Sequence, residues 1–262
     1  MSVCAKCQDP LVFEVNDNSD EDEDTSMDAT QRTVADDVTL SCGDHFHWQC
    51  LIDSFQSSQC PKCSQDITSS PPGGASSTTT SKPQVLVSIN NEGGLQENED
   101  IFPILQEEAY IRDHPDEVKS RAFLEFCREG DHRAIADLLK SDDDDLEDAD
   151  AMTGPSKSPA EILRYQDPIG DMQSGLHAAA ANGHREVAFL LLLLASEMPE
   201  QDFPALVFQE AAAMGIMRED QTGLVDVRSL RDAQGRSAED VAKQEGGAVW
   251  NGWGGKGWLS MP

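Results

Sequence analysis

Six of the seven cysteines lie within the first 63 residues, with two histidines among them. Cys4 and Cys7 form one pair, and Cys60 and Cys63 form another. Between them stands a cluster of Cys42, His45, His47 and Cys50. Four thiolates or imidazoles around one zinc make a closed tetrahedral site. Eight candidate ligands therefore point to two zinc ions as cofactors. Cys127 is the one cysteine outside the set.

Cysteine pairs can also be disulfides, which require an oxidising compartment. Residues 1–30 are acidic and lack the apolar core of a signal peptide, so a reducing cytosol or nucleus is expected. The chain carries a formal net charge of -30, from 49 acidic and 19 basic residues. Such a surface repels phosphate backbones and anionic lipid, which argues against nucleic acid and membrane as partners. The longest apolar run, Phe189 to Ala195, is far shorter than a membrane span.

The elements that must position the ligands are short. Leu11 to Val15 reads as a strand, followed by an acidic insertion at Asp20–Asp24. Val38-Thr39-Leu40 reads as a strand leading into Cys42, and Leu51 to Phe55 as a helix after Cys50. Residues 68–83 are rich in Ser, Thr, Pro and Gly and cannot bury a core, so 67–100 is expected to be a flexible linker. From Ile101 the apolar residues recur at helical spacing, as at Phe102, Leu105 and Ala109, then Leu124, Ile135, Leu138 and Leu139. A second acidic run, Asp142–Asp145, reads as an exposed loop.

The order of ligands resembles a RING finger of the class with histidine in its middle positions. The resemblance implies cross-brace binding. The first zinc then takes Cys4, Cys7, His47 and Cys50, and the second takes Cys42, a residue at 44 or 45, Cys60 and Cys63. Ligand chemistry favours His45 at the open position, whereas the family's frame puts Asp44 there. The resemblance also implies a surface for a ubiquitin-conjugating enzyme, with Leu51, Phe55 and Pro61 as partner-binding residues. Other family contact positions are here Lys6, Ser54 and Ser64.

Ser174-Gly175-Leu176-His177 through Leu192 is similar to the core of an ankyrin repeat. Small alanines permit close helix packing, Gly183 suits the left-handed end of a helix, and the leucines form a buried face. His177 reads as a capping and packing group. Weaker relatives lie at Phe123–Leu139 and Asp232–Ala242. The tail Val249–Trp258 holds three of the four tryptophans and reads as a cap on the last repeat.

The expected architecture is multidomain. A small α+β cross-brace zinc module spans 1–66 and a linker spans 67–100. An α-helical ankyrin-like repeat domain, with its tryptophan-rich tail, spans 101–262. The combination resembles fungal proteins that join the two modules. No nucleophile–base pair, phosphate loop or His-Glu-x-x-His motif is present, so no catalytic residue is assigned. Two functions fit. One is a RING-type ubiquitin ligase, in which the repeats hold a protein substrate. The other is a zinc-binding adaptor whose acidic surface selects basic partners.

Overall fold

The computed structural model describes residues 2–15, 32–56, 58–69, 83–140, 157–254 and 257–261. Both acidic runs, Asp20–Asp24 and Asp142–Asp145, and most of the Ser/Thr/Pro stretch lie outside these residues. The chain divides into two compact units, Met1–Asp113 and His114–Pro262.

Among its described residues the first unit combines two small antiparallel sheets with two helices. Strands β1 (Val12–Val15) and β2 (Arg32–Ala35) pair in one sheet. The other has the order β4-β3-β5-β6, from β3 (Asp37–Thr39), β4 (His45–Phe46), β5 (Leu86–Asn91) and β6 (Gly94–Asp100). Helix α1 (Trp48–Ser54) begins directly after His47, and the Asp36 carboxylate accepts a hydrogen bond from its first N–H at 3.0 Å. That acceptor satisfies one orphan donor and complements the positive end of the helix. Helix α2 (Phe102–Asp113) closes the unit. At the other end of α1, the Arg112 guanidinium donates to the carbonyls of Ile52 and Phe55, at 2.9 and 3.3 Å.

This arrangement corrects the expected linker. Residues 83–100 are a hairpin paired to β3, and α2 belongs to the first unit and not to the helical domain. Val85 and Val87 are buried with Val38, Leu40, Phe46, Ile101 and Leu105 in one core. The period-2 pattern Val85-x-Val87-x-Ile89 is that of a half-buried strand. Averaging composition over 67–100 hides it behind the Ser/Gly/Pro residues that precede it.

Among its described residues the second unit is built from helices. These are α3 (Val118–Glu129), α4 (His132–Lys140), α5 (Pro159–Ile162), α6 (Gly175–Asn182), α7 (Arg185–Ala195), α8 (Ala205–Ala213) and α9 (Ala238–Gln244). Helix α6 lies between α3 and α9, and α7 packs on both α6 and α4. Helices α3 and α6 each end on a left-handed glycine, Gly130 at φ 85° and Gly183 at φ 78°. The loops entering α6 and α9 are also built alike. Asp167 N–H donates to Gln173 O and Asp232 N–H to Arg236 O, and each aspartate carboxylate accepts N–H groups of its own loop. Asp167 is 1% exposed and is held by the guanidinium groups of Arg121 and Arg128.

Gly175 lets two helices of this unit come close together. A Cβ there would stand 2.7 Å from Phe123 Cζ and 2.9 Å from Cys127 Sγ, so α6 approaches α3 more closely than any side chain would allow. The tryptophan tail covers this unit's own core. Trp250 and Trp253 are buried, and Trp250 Nε1–H donates to Ala180 O at 2.8 Å. The ring of Trp253 lies 4.6 Å from that of Phe189 on α7.

Candidate metal centres

Two turns of the same construction carry the paired cysteines. Cys4 N–H donates to Asp9 O, and Cys60 N–H donates to Gln65 O. Gln8 N–H returns to Cys4 O, and Ser64 N–H returns to Cys60 O. The residue after the second cysteine is left-handed in both, with φ 68° at Gln8 and 59° at Ser64. Bridges Val3–Pro10 and Gln59–Asp66 close the two turns. Each turn presents its two sulfurs on one side, as a two-ligand knuckle.

The fold completes each knuckle with residues from the segment around β4 and α1. Cys4, Cys7, His47 and Cys50 bring one donor atom each to within 4.8 Å of one another. Cys42, Asp44, Cys60 and Cys63 do the same. The first and third pairs of the chain thus share one site, and the second and fourth share the other. Each set could hold one metal ion.

In the first set His47 Nδ1 lies 3.3 Å from Cys7 Sγ and 3.9 Å from Cys50 Sγ. Its Nε2 lies 2.8 Å from Pro10 O. An Nε2–H donated to that carbonyl fixes the tautomer and leaves Nδ1 free as a ligand. The N–H groups around Cys4 act in the same sense. Burial raises its thiol, but the backbone N–H groups of Cys7, His47 and Lys6 outweigh burial and bring it down to about 6. Cys50 is pushed up to about 12 by burial and by the neighbouring Cys4 and Cys7 sulfurs.

In the second set Asp44 Oδ2 lies 3.6 Å from Cys42 Sγ and 3.3 Å from Cys60 Sγ. Its Oδ1 accepts from Lys62 Nζ at 2.8 Å. That ammonium first, and then the Cys63 thiol, hold the Asp44 carboxyl at about 2. Burial above all raises Cys60 to about 12. Burial likewise raises the Cys42 thiol, and a bound cation would favour the thiolate form of both.

His45 is not among these donors. Its Nδ1 faces Asp37 Oδ1 at 2.8 Å, and Thr39 Oγ1 lies 3.1 Å away. Successive residues of a strand point to opposite faces. In β4, Phe46 is buried, and His45 stands opposite Thr39 on the other face. The geometry puts Asp44 where ligand chemistry alone favoured histidine.

Two of the expected partner-binding residues are also displaced. Leu51 and Phe55 are core residues of the first unit, at 0% and 5% exposure, and cannot offer their side chains to a partner. A seven-residue helix lying on a small core buries one face, and Leu51, Ile52 and Phe55 form it. Pro61 is exposed and lines a cavity of about 490 Å³ between the two knuckles, with Lys6, Ser54, Gln56 and Lys62. Lys6, Gln56, Pro61 and Lys62 are exposed there, and Ser54 is half-buried. Lys6 pairs with Asp53 at 3.4 Å, and the Ser54 hydroxyl donates to Cys50 O at 2.7 Å.

Cys127 is fully buried on α3, and burial raises its thiol far above the ordinary range. It is a packing residue. No described helix is long and apolar enough to cross a membrane. The chain matches no family model, no curated protein and no solved structure.

Proposed function

We propose that this chain is a RING-type ubiquitin ligase. In this reading the first unit is a zinc module that recruits a ubiquitin-conjugating enzyme, and the second is an ankyrin-like array that holds a protein substrate. The observation that carries the reading is the interleaving of the donor sets, in which each knuckle is completed from the segment between them.

Zinc fits both sets. A sulfur at about 2.3 Å and a nitrogen or oxygen at about 2.1 Å from a tetrahedral ion stand roughly 3.6 Å apart, and the sulfur–nitrogen and sulfur–oxygen contacts of 3.3–3.9 Å fall around that value. Three sulfurs with one imidazole, or with one carboxylate, are zinc donors. With four protein ligands each, neither site leaves a position for water. Zinc would supply folding energy and no chemistry. A ligase of this kind works by holding the conjugating enzyme's thioester and the acceptor together, an effect of proximity and orientation. The groove beside Pro61 is the docking place this reading assigns, with Lys6 and Ser54 on its wall.

The adaptor reading is favoured by one specific observation. The groove wall carries Lys6 and Ser54 where the resembled family has a branched aliphatic residue and a tryptophan. Discharge of ubiquitin from a panel of thioester-loaded conjugating enzymes separates the two functions. The ligase reading expects faster discharge with at least one enzyme, lost in Lys6→Glu and Pro61→Ala while zinc content is unchanged. Discharge by none of the panel favours the adaptor.

A further inference from the structure

We propose that a cavity between α7 and α8 is a docking site for a basic partner segment anchored by one aromatic side chain. The cavity measures about 210 Å³. Drug-sized ligands occupy roughly 300–1,000 Å³, whereas a space of about 150 Å³ lined by Leu, Ile and Phe takes up benzene. The size therefore suits a single ring.

The walls select what surrounds that ring. Phe189 and Leu190 of α7 and Leu206 and Val207 of α8, with Pro204 and Met214, make the apolar part, and His132 of α4 also lines the cavity. Leu206 is 59% exposed, so α8 leaves a large apolar side chain at the mouth. Glu186 lies one turn before Leu190, and Glu210 one turn after Leu206. Residues four apart share a helix face, so each helix sets a carboxylate beside its apolar wall, and both line the cavity. Both glutamates are exposed, and neither carboxylate has a hydrogen-bond or ion-pair partner among the described residues. Two unpaired carboxylates flanking an apolar hole, on a chain of net charge -30, call for lysine or arginine near the anchoring ring. A buried aromatic anchor with a charged rim is the usual anatomy of an energetic hot spot.

The inference rests on the second unit being the part that holds a partner. It is tested on the full chain with a fluorescent helical peptide carrying one phenylalanine and a lysine one turn to either side. Fluorescence anisotropy should show saturable binding. Phe→Ala in the peptide should weaken it by about tenfold or more, as should Glu186→Gln with Glu210→Gln in the protein; tenfold corresponds to about 1.4 kcal/mol. Leu206→Lys, at an exposed position, should do the same with an unchanged melting curve. Equal affinity for the Phe→Ala peptide would mean undirected attraction to an acidic protein and would overturn the proposal. So would no binding, or binding that ignores all three protein substitutions. Zinc content and ubiquitin discharge do not enter these readouts, so failure here is distinguishable from failure of the ligase reading.

Discussion

Asp44 Oδ2 stands 3.3 Å from Cys60 Sγ, although 16 residues separate them in the chain. The contact joins the central segment to the second knuckle, and Lys62 holds the other carboxylate oxygen at 2.8 Å. The neighbouring His45 instead engages Asp37.

Exchanging these two neighbours should therefore have unequal effects. Asp44→Ala should weaken zinc at the second site by more than the roughly 10–100-fold typical of losing an outer-shell partner. His45→Ala should leave both affinities within a few-fold of wild type. Competition with a chromogenic chelator measures both, and the reverse ranking would return His45 to the ligand set.

Chelation should unfold one unit and spare the other. All eight donors lie in Met1–Asp113, and structural zinc contributes roughly 10–16 kcal/mol in small modules. Trp250, Trp253 and Trp258 pack with Phe189 and Phe203 in the second unit. Their fluorescence and the helical circular dichroism should persist after zinc removal. Loss of both together would mean that the second unit does not hold its fold without the first.

Gly175→Ala should destabilise the second unit by about 1–3 kcal/mol, the usual cost of overpacking. The added methyl meets Phe123 and Cys127 on a facing helix, and neither can swing into solvent. Phe123→Leu in the same chain should recover part of the loss. Thermal melts of the single and double variants measure both effects.

Acid should weaken this unit through His177. Burial holds its imidazole below the ordinary value of 6.5. Its Nδ1 accepts from Ser174 N–H at 3.3 Å, and Nε2 lies 3.0 Å from Arg236 O, where it donates as the neutral tautomer. The depressed value makes the unfolded chain bind the proton first. Stability is therefore full above 6.5 and declines as pH falls through the folded value. His177→Gln should remove this part of the pH dependence in urea titrations across that range. An unchanged slope would assign it to other groups.

What was legible in the sequence follows from how local each constraint is. The knuckles were visible because Cys4/Cys7 and Cys60/Cys63 must be close in sequence to share one turn. The helix pair 175–195 was visible because alanines, a left-handed glycine and a leucine face all lie within one window. The choice between Asp44 and His45 was not, because it turns on which face a two-residue strand gives to its neighbour. The burial of Leu51 and Phe55 is not legible, because α1 packs against β3 and against α2, which lies about fifty residues further along the chain. The Arg121–Asp167 pair, 46 residues apart, leaves no sequence signal at all.

The interleaving of the two sites is tested most directly by counting zinc in intact protein by native mass spectrometry. Wild type should carry two ions. Cys7→Ala with Cys50→Ala should still carry one, because both belong to the same site. Cys7→Ala with Cys63→Ala should carry none. One ion or none in reduced wild type, or no ion in the Cys7/Cys50 pair, would contradict the interleaved arrangement.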